Sequence, residues 1–227
     1  MFFPAGRRVV PNVAAHAASR SMILRVAGPQ FAQVSGSGTA AIINFSPPPG
    51  PGDVVYVWQA RLLGIGALAT GGYSEIVNGG SPDNLTLIVW RKRMGTTPDT
   101  SVVSVVNTFG RSIVMGAIIL RNVDAATPED VAATTVNNEV PPITTVTANT
   151  WILALYGAVG INFMNITSPP AGYGNFSALS GTAVTGGNVL AAAGSTRLLA
   201  TAGTEDPGNY SHDGSFSIGH TVAVRRG

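Results

Sequence analysis

The tightest group of chemically capable side chains is Ser211-His212-Asp213-Gly214, which contains the residue types of a hydrolytic triad. Consecutive residues of a strand point to opposite faces of a sheet, so these three side chains cannot form a triad locally. No Gly-x-Ser-x-Gly sequence occurs that would present a nucleophilic serine on a strained turn. We interpret the cluster as a polar turn and expect the chain to have no catalytic residue and no enzymatic activity.

Two further groups could bind a metal ion. His220 falls on an apolar strand face, where a neutral imidazole in the core is favoured, because the sequence groups no further ligands with it. Glu205-Asp206-Pro207-Gly208-Asn209 offers oxygen ligands for calcium but lacks the alternating acids of a known calcium loop. An acidic turn is favoured there, and a weak calcium site at Glu205-Asp206 stays open. No nucleotide-binding glycine motif occurs, so we expect no cofactor and no metal.

Aromatic residues offer a second kind of chemistry, stacking on sugar rings. Trp58 and Trp151 lie in apolar runs typical of a core. Tyr73, Tyr173 and Tyr210 lie in predicted loops and are the possible glycan-contacting residues.

The composition limits the classes of partner. Hydrophobic residues make up 45% of the 227 residues and charged residues 11%, against about a quarter charged in ordinary soluble proteins. No apolar stretch approaches the roughly 18 residues of a membrane span, so a membrane protein is disfavoured. The densest basic run, Arg91-Lys92-Arg93, lacks interleaved aromatics, which argues against nucleic acid and favours a solvated strand end or an acidic protein contact. The absence of cysteine excludes disulfides and thiolate sites.

Stretches rich in Val, Ile, Thr and aromatic residues alternate with Gly, Pro, Asn and Ser clusters, which predicts an all-β fold of about a dozen strands. Residues 53–60, 113–120 and 151–159 are apolar on both alternation phases and predict strands covered on both faces. In the last strand, positions 217, 219, 221 and 223 form a small-residue face that suits close approach of another layer. Weaker strands are predicted at 21–26, 30–35, 40–45, 101–107, 143–147, 161–167 and 189–193, and residues 84–93 form a strand that leaves the core.

Two segments have other predictions. Thr127-Pro128-Glu129-Asp130 combines a threonine cap with proline and acids, which predicts one short helical turn. Residues 178–215 are rich in Gly, Ala, Thr and Ser, so we expect weakly specified strand register and mobile loops there.

Residues 1–20 have no clear period and predict an N-terminal arm ahead of a β-sandwich domain at 21–227. An arm without a fold of its own would be ordered by a neighbouring subunit. Its candidate partner-binding residues are Phe2, Phe3, Arg7, Arg8, Val9 and Val10.

A characteristic order of segments runs through the domain. It comprises Pro51-Gly52-Asp53-Val54-Val55, Trp90-Arg91-Lys92-Arg93, residues 116–124, residues 144–157 and Ser168-Pro169-Pro170-Ala171-Gly172-Tyr173. Over about residues 21–225 this order resembles jelly-roll-like domains of phage virion proteins and bacterial surface proteins.

The resemblance implies an antiparallel jelly-roll-like sandwich and a non-catalytic phage virion structural protein. The expected role is a capsid decoration (cement) protein or a head or tail appendage that binds neighbouring virion subunits. Such a protein would be made in the bacterial host cytoplasm and assemble as a homo-oligomer such as a trimer, with avidity from many weak contacts. The alternative is a glycan- or receptor-binding module of a phage fibre or bacterial surface protein. A hydrolase with a scattered site ranks last because acids and histidines are sparse.

Overall fold

The computed structural model describes residues 24–35, 40–62, 68–81, 84–105, 112–181 and 187–227. Within these ranges there is no helix, and the regular structure is sixteen β-strands. In chain order they are β1 (Leu24–Ser35), β2 (Ala40–Asn44), β3 (Val54–Leu62), β4 (Ser74–Gly80), β5 (Leu85–Arg93), β6 (Ser101–Val105), β7 (Ser112–Arg121), β8 (Thr134–Asn137), β9 (Ile143–Thr145), β10 (Thr150–Ile161), β11 (Ile166–Ser168), β12 (Gly174–Ser180), β13 (Asn188–Leu199), β14 (Gly203–Glu205), β15 (Ser211–His212) and β16 (Phe216–Val224).

Ten strands form two five-stranded antiparallel sheets. The first has the order β1-β7-β3-β5-β4 and the second the order β12-β13-β10-β16-β8. The other six strands pair as three ribbons, β2 with β6, β9 with β14 and β11 with β15. The predicted all-β sandwich is therefore confirmed.

The inner faces of the two sheets form one apolar core. It includes Tyr56 and Trp58 of β3, Leu87 of β5, Leu155 of β10 and Val222 of β16. The seven side chains whose burial the sequence predicts are at most 1% exposed, namely Val54, Tyr56, Trp58, Ile118, Leu153, Leu155 and Val222.

The outer faces of both sheets are also covered, which explains why the central strands are apolar on both phases. The ribbon of β2 and β6 packs on the first sheet, with Ile43 and Val102 in a cluster around Val57 and Met115. The other ribbons pack on the second sheet, where Ile143 and Ile166 join a cluster with Tyr156. The molecule thus has four layers, with a ribbon layer outside each sheet.

The second half of the chain repeats the topology of the first. Strands β1, β2, β3, β4, β5, β6 and β7 correspond to β8, β9, β10, β12, β13, β14 and β16, and every pairing among the first set recurs among the second. Val54 pairs with Leu120 as Trp151 pairs with Val224, so the registers also correspond. Each sheet therefore comes from one contiguous half of the chain.

The division of the chain into two halves, each forming one sheet, can be compared with the predicted jelly-roll connectivity. The structure confirms the sandwich but not the jelly-roll order of strands, because five strands of one half complete a sheet before the other sheet begins.

One local expectation is wrong, since residues 127–130 make no helical turn: Asp124 Oδ1 accepts the Ala126 and Thr127 amides, and Glu129 bridges Val224 as extended chain. The expectation of a weakly specified register in 178–215 is also wrong for β13, which matches β10 over twelve consecutive residues. Its small side chains suit close packing between layers, which specifies the register without large apolar residues.

Close approach of the sheets is visible at Trp58. A Cβ on Gly194 of the opposite sheet would lie 2.5 Å from Trp58 Cζ2, and one on Gly116 of the neighbouring strand would lie 2.3 Å from it. Such distances are far shorter than van der Waals contact, so the indole occupies space that only glycine leaves free. The small outer face of β16 behaves similarly, since a Cβ on Gly219 would meet the Glu139 carbonyl oxygen at 2.2 Å.

We predict that Gly194→Ala destabilises the protein by about 2 kcal/mol or more, because the added methyl overpacks the core against Trp58. Urea unfolding monitored by tryptophan fluorescence measures the effect. Gly174→Ala is the matched control, because a Cβ there meets nothing within 4 Å, and it should stay within about 0.5 kcal/mol of the wild type. Equal stability of the two variants would contradict the requirement for glycine at position 194.

Candidate functional site

The tyrosines predicted to contact glycans are mostly buried. Tyr173 is 6% exposed and Tyr210 is 3% exposed. The Tyr210 hydroxyl donates to the Ala154 carbonyl at 2.7 Å and lies 2.7 Å from Ser195 Oγ, and the Tyr173 hydroxyl donates to Glu205 Oε1 at 3.2 Å. Burial raises the pKa of both phenols. The expectation that these two rings stand free in loops is therefore corrected, because packing against the second sheet covers them.

Tyr73 is partly exposed but engaged. Lys92 Nζ lies 5.4 Å from its ring centroid, and burial together with the nearby Asp99 raises the pKa of its hydroxyl. Of the three tyrosines, Tyr73 is therefore the one with the most exposed side chain, although Lys92 covers one side of its ring.

The basic run 91–93 is tied into the fold. Arg91 pairs with Glu129, and Lys92 pairs with Asp99 at 2.7 Å. Arg93 donates to the Gly52 carbonyl at 2.8 Å and to the carbonyls of residues 123 and 124. The run therefore joins strands and loops instead of ending free in solvent, which corrects the interpretation as a solvated strand end.

The Ser211-His212-Asp213 cluster works as a structural turn. His212 Nδ1 accepts the Gly214 amide at 3.1 Å, and Asp213 Oδ1 accepts the Asn165 amide at 2.6 Å. The cluster thus anchors the segment 162–165, which connects β10 to β11.

His220 is a core histidine, as the sequence predicts. It is fully buried, and its Nε2 lies 2.7 Å from the Leu87 carbonyl oxygen of the opposite sheet. Because a carbonyl only accepts, this nitrogen carries the proton. Burial lowers the pKa of His220 to about 4, so the ring stays neutral near pH 7.

Glu205 and Asp206 have local partners. Arg197 donates to Glu205 at 2.8 Å, and Asp206 accepts the Gly208 amide at 3.2 Å. Within the described residues, no three His, Cys, Asp or Glu side chains gather as they would around a metal ion. The same part of the chain contains no helix with the length and apolarity needed to cross a membrane.

An apolar patch lies where β10 ends and β16 begins. We define it by Ile161, Phe163 and Phe216, which are 63%, 62% and 43% exposed. A shallow pocket of about 80 Å³ lies among Ile161, Phe216 and their neighbours.

The backbone beneath this patch is firmly held. Met164 is buried, Asn162 donates its amide to the Gly187 carbonyl at 2.6 Å, and the Asn165 amide donates to Asp213. Phe163 is therefore presented to solvent by an anchored turn, the arrangement expected of a contact surface.

A cleft of about 490 Å³ opens at the other end of β10. Its lining consists of Asp124, Thr147, Ala148, Asn149, Arg225, Arg226 and Gly227. Neither this cleft nor the apolar patch was predicted from the sequence as a unit, although Arg225 and Arg226 stand out as a basic pair.

The predicted partner-binding residues of the arm, Phe2, Phe3, Arg7, Arg8, Val9 and Val10, lie outside the described residues. Their role stays a prediction. Comparison of the chain with protein-family models, with curated proteins and with solved structures finds no match.

The buried His220 predicts a pH dependence of stability. The unfolded chain binds a proton near the ordinary pKa of 6.5 while the folded chain resists it down to about 4. The contribution of His220 to the free energy of unfolding is therefore fully present above pH 6.5 and is lost as the pH falls toward 4. The loss amounts to about 3 kcal/mol. Urea unfolding across this range should show that His220→Gln loses less stability on acidification than the wild type.

His212→Gln is the control, because His212 is only partly buried and lacks the contact between sheets. It should retain most of the acid sensitivity. Identical pH profiles for the wild type and His220→Gln would contradict the assignment.

Proposed function

We propose that this chain is a non-catalytic structural protein of a phage virion, a capsid decoration (cement) protein or a head or tail appendage that binds neighbouring virion subunits through its apolar patch. The observation that carries the proposal is the exposure of Ile161, Phe163 and Phe216 on an anchored turn. Large apolar side chains that are grouped and rigidly presented are typical of protein contact surfaces.

The distribution of charge supports the same proposal. Charged residues are 11% of the sequence, and several of them are paired within the fold, as Arg121 is with Asp53 and Arg197 with Glu205. A surface with so few free charges resists association poorly and suits a protein that works in an assembly. Homo-oligomerisation, for instance as a trimer, would multiply weak contacts through avidity.

The polar clusters that resemble catalytic groups have structural partners, which favours a non-enzymatic role. Asp213 holds a loop, and His220 joins the two sheets. The glycan-binding alternative keeps only Tyr73 as a partly exposed aromatic among its three candidates, so it has weaker support.

We predict that Phe163→Ser with Ile161→Thr leaves folding intact but reduces the copy number of the chain in purified particles, measured by quantitative mass spectrometry. Both side chains are exposed, so their loss should change the free energy of unfolding by less than about 0.5 kcal/mol. Contact with a partner would bury these two side chains, at about 25 cal/mol per Å² of apolar surface.

The matched control is Ile42→Thr, which removes an exposed aliphatic side chain of β2, 49% exposed, away from the patch. Many copies of the wild-type chain per particle indicate decoration, and few copies indicate a tail or fibre component. Absence of the wild-type chain from particles would overturn the virion role, and undiminished incorporation of the double variant would overturn the role of the patch.

A second prediction concerns the arm. Deletion of residues 1–20 should leave the sandwich folded while weakening its attachment to particles, because Phe2, Phe3, Val9 and Val10 would be buried by a neighbouring subunit. Circular dichroism checks the fold, and co-sedimentation with particles measures attachment. A truncated chain that attaches as well as the full chain would refute this part of the proposal.

A further inference from the structure

The repeated topology identifies Arg121 and Arg225 as equivalent residues. Arg121 follows Leu120, the partner of Val54, and Arg225 follows Val224, the partner of Trp151. The residues that precede Val54 and Trp151 are Asp53 and Thr150, so these two are also equivalent.

In the first half, Arg121 forms an ion pair with the carboxylate of Asp53. Arg121 Nε and Nη2 donate to the two oxygens of Asp53 at 2.7 and 2.8 Å, and Asp53 is fully buried. The preceding loop closes over the pair, because the Gly50 amide also donates to Asp53 at 2.7 Å. A Cβ on Gly50 would lie 3.2 Å from Arg121 Nη2, so the loop packs closely against this edge of the guanidinium.

In the second half, the carboxylate is missing. Thr150 stands in its place and donates its hydroxyl to the Thr147 carbonyl at 2.8 Å. The residue before it is in the left-handed region in both halves, with a φ of 57° at Asn149 and of 82° at Gly52. Arg225 makes one long hydrogen bond, to Thr127 Oγ1 at 3.3 Å, and no carboxylate of the described residues is within ion-pair distance of it.

A cleft of about 490 Å³ lies between the loop at 147–149 and Arg225. Its volume lies in the range of small-ligand sites.

The two nearby carboxylates are already used by the backbone. Asp124 Oδ1 accepts the amides of Ala126 and Thr127 at 2.9 and 2.7 Å. Asp130 Oδ2 accepts the amides of Val146 and Thr147 at 2.6 and 3.1 Å. The Thr127 and Ala126 amides and the nearby Arg225 lower the pKa of Asp124, but neither carboxylate forms with Arg225 the bidentate ion pair that Asp53 forms with Arg121.

We propose that this cleft is a carboxylate-binding site, in which an external carboxylate receives a bidentate pair of hydrogen bonds from Arg225, as Asp53 does from Arg121 in the first half. A guanidinium fork matches the two oxygens of a carboxylate, and the geometry realised by Arg121 shows that this strand end can direct it. The carboxylate comes from a small organic acid or from an acidic side chain of a partner protein. The site does not depend on the virion role.

The test uses the full chain labelled with ¹⁵N and acetate as the probe. Acetate should shift the Nε–Hε signal of Arg225, assigned from the spectrum of Arg225→Lys, and leave that of Arg121 unchanged. Arg225→Lys keeps the charge but loses the fork, so acetate should bind about tenfold more weakly, detected through the loop amides.

Thr150→Asp supplies the missing carboxylate from within the chain. It should abolish the acetate response, whereas the similarly sized but uncharged Thr150→Asn should keep the response. Absence of an acetate-induced shift in the wild type would overturn the proposal. An unchanged affinity in Arg225→Lys, or an unchanged response in Thr150→Asp, would also overturn it, since acetate would then bind elsewhere.

Two further probes separate the sources of the carboxylate. Succinate that binds more tightly than a blocked glutamate peptide indicates a small organic acid, and the reverse order indicates an acidic side chain of a protein. Both outcomes require that Arg225→Lys weakens the binding of the preferred probe.

Discussion

The fold depends on the fit of the Trp58 indole between two glycines. Gly116 lies beside it in the first sheet, and Gly194 faces it from the second. A Cβ at either position would overlap the ring, so Gly116 lets the indole lie flat on its own sheet and Gly194 lets the second sheet approach it closely. Gly157 of the second sheet makes a similar close contact with the first sheet, because a Cβ there would lie 2.9 Å from the Cβ of Ala60. These two glycine contacts help to set the register of β10 and β13, because a shift by one residue would place a side chain where Gly157 or Gly194 now lies.

The sparse charges are used mainly at strand ends. Asp53 is buried against Arg121, and Glu129 joins Arg91 to the connection between the halves. The arginine side chains of these pairs are partly exposed, and ion pairs open to solvent add little net stability. These pairs therefore specify where strands and loops meet, while apolar burial supplies most of the favourable free energy. A protein with this use of charge has few charges left for its outer surface, which makes its apolar patch more prominent.

The sequence predicts what local periodicity can encode and misses what depends on distant pairing. Strands such as β3 and β7 are apolar on both phases and are recognisable, and His220 is identifiable as a core residue from its strand face. Tyr210 is not, because its burial depends on the Ala154 carbonyl 56 residues away. The internal repeat is not visible in the sequence either, because equivalent positions on the inner faces are buried in both halves but carry different residues. Trp58 corresponds to Leu155, for example, and both are buried.

The comparison of the two halves separates structure from function. Where they agree, the residues serve packing, as with the Gly-Tyr turns at 72–73 and 172–173, which adjoin Lys92 and Arg197 in equivalent strands. Where they differ, the second half departs from the common arrangement. Among the described residues, the ribbon of β11 and β15 has no counterpart in the first half, and the turn leading into it presents Phe163. Thr150 stands where the first half has a buried acid, and its hydroxyl lies 3.0 Å from that of Thr147, which bonds to Asp130. These two departures lie at opposite ends of β10, one beside the apolar patch and one beside the cleft that Arg225 lines, so the same strand pairing supports a different surface at each end of the second half.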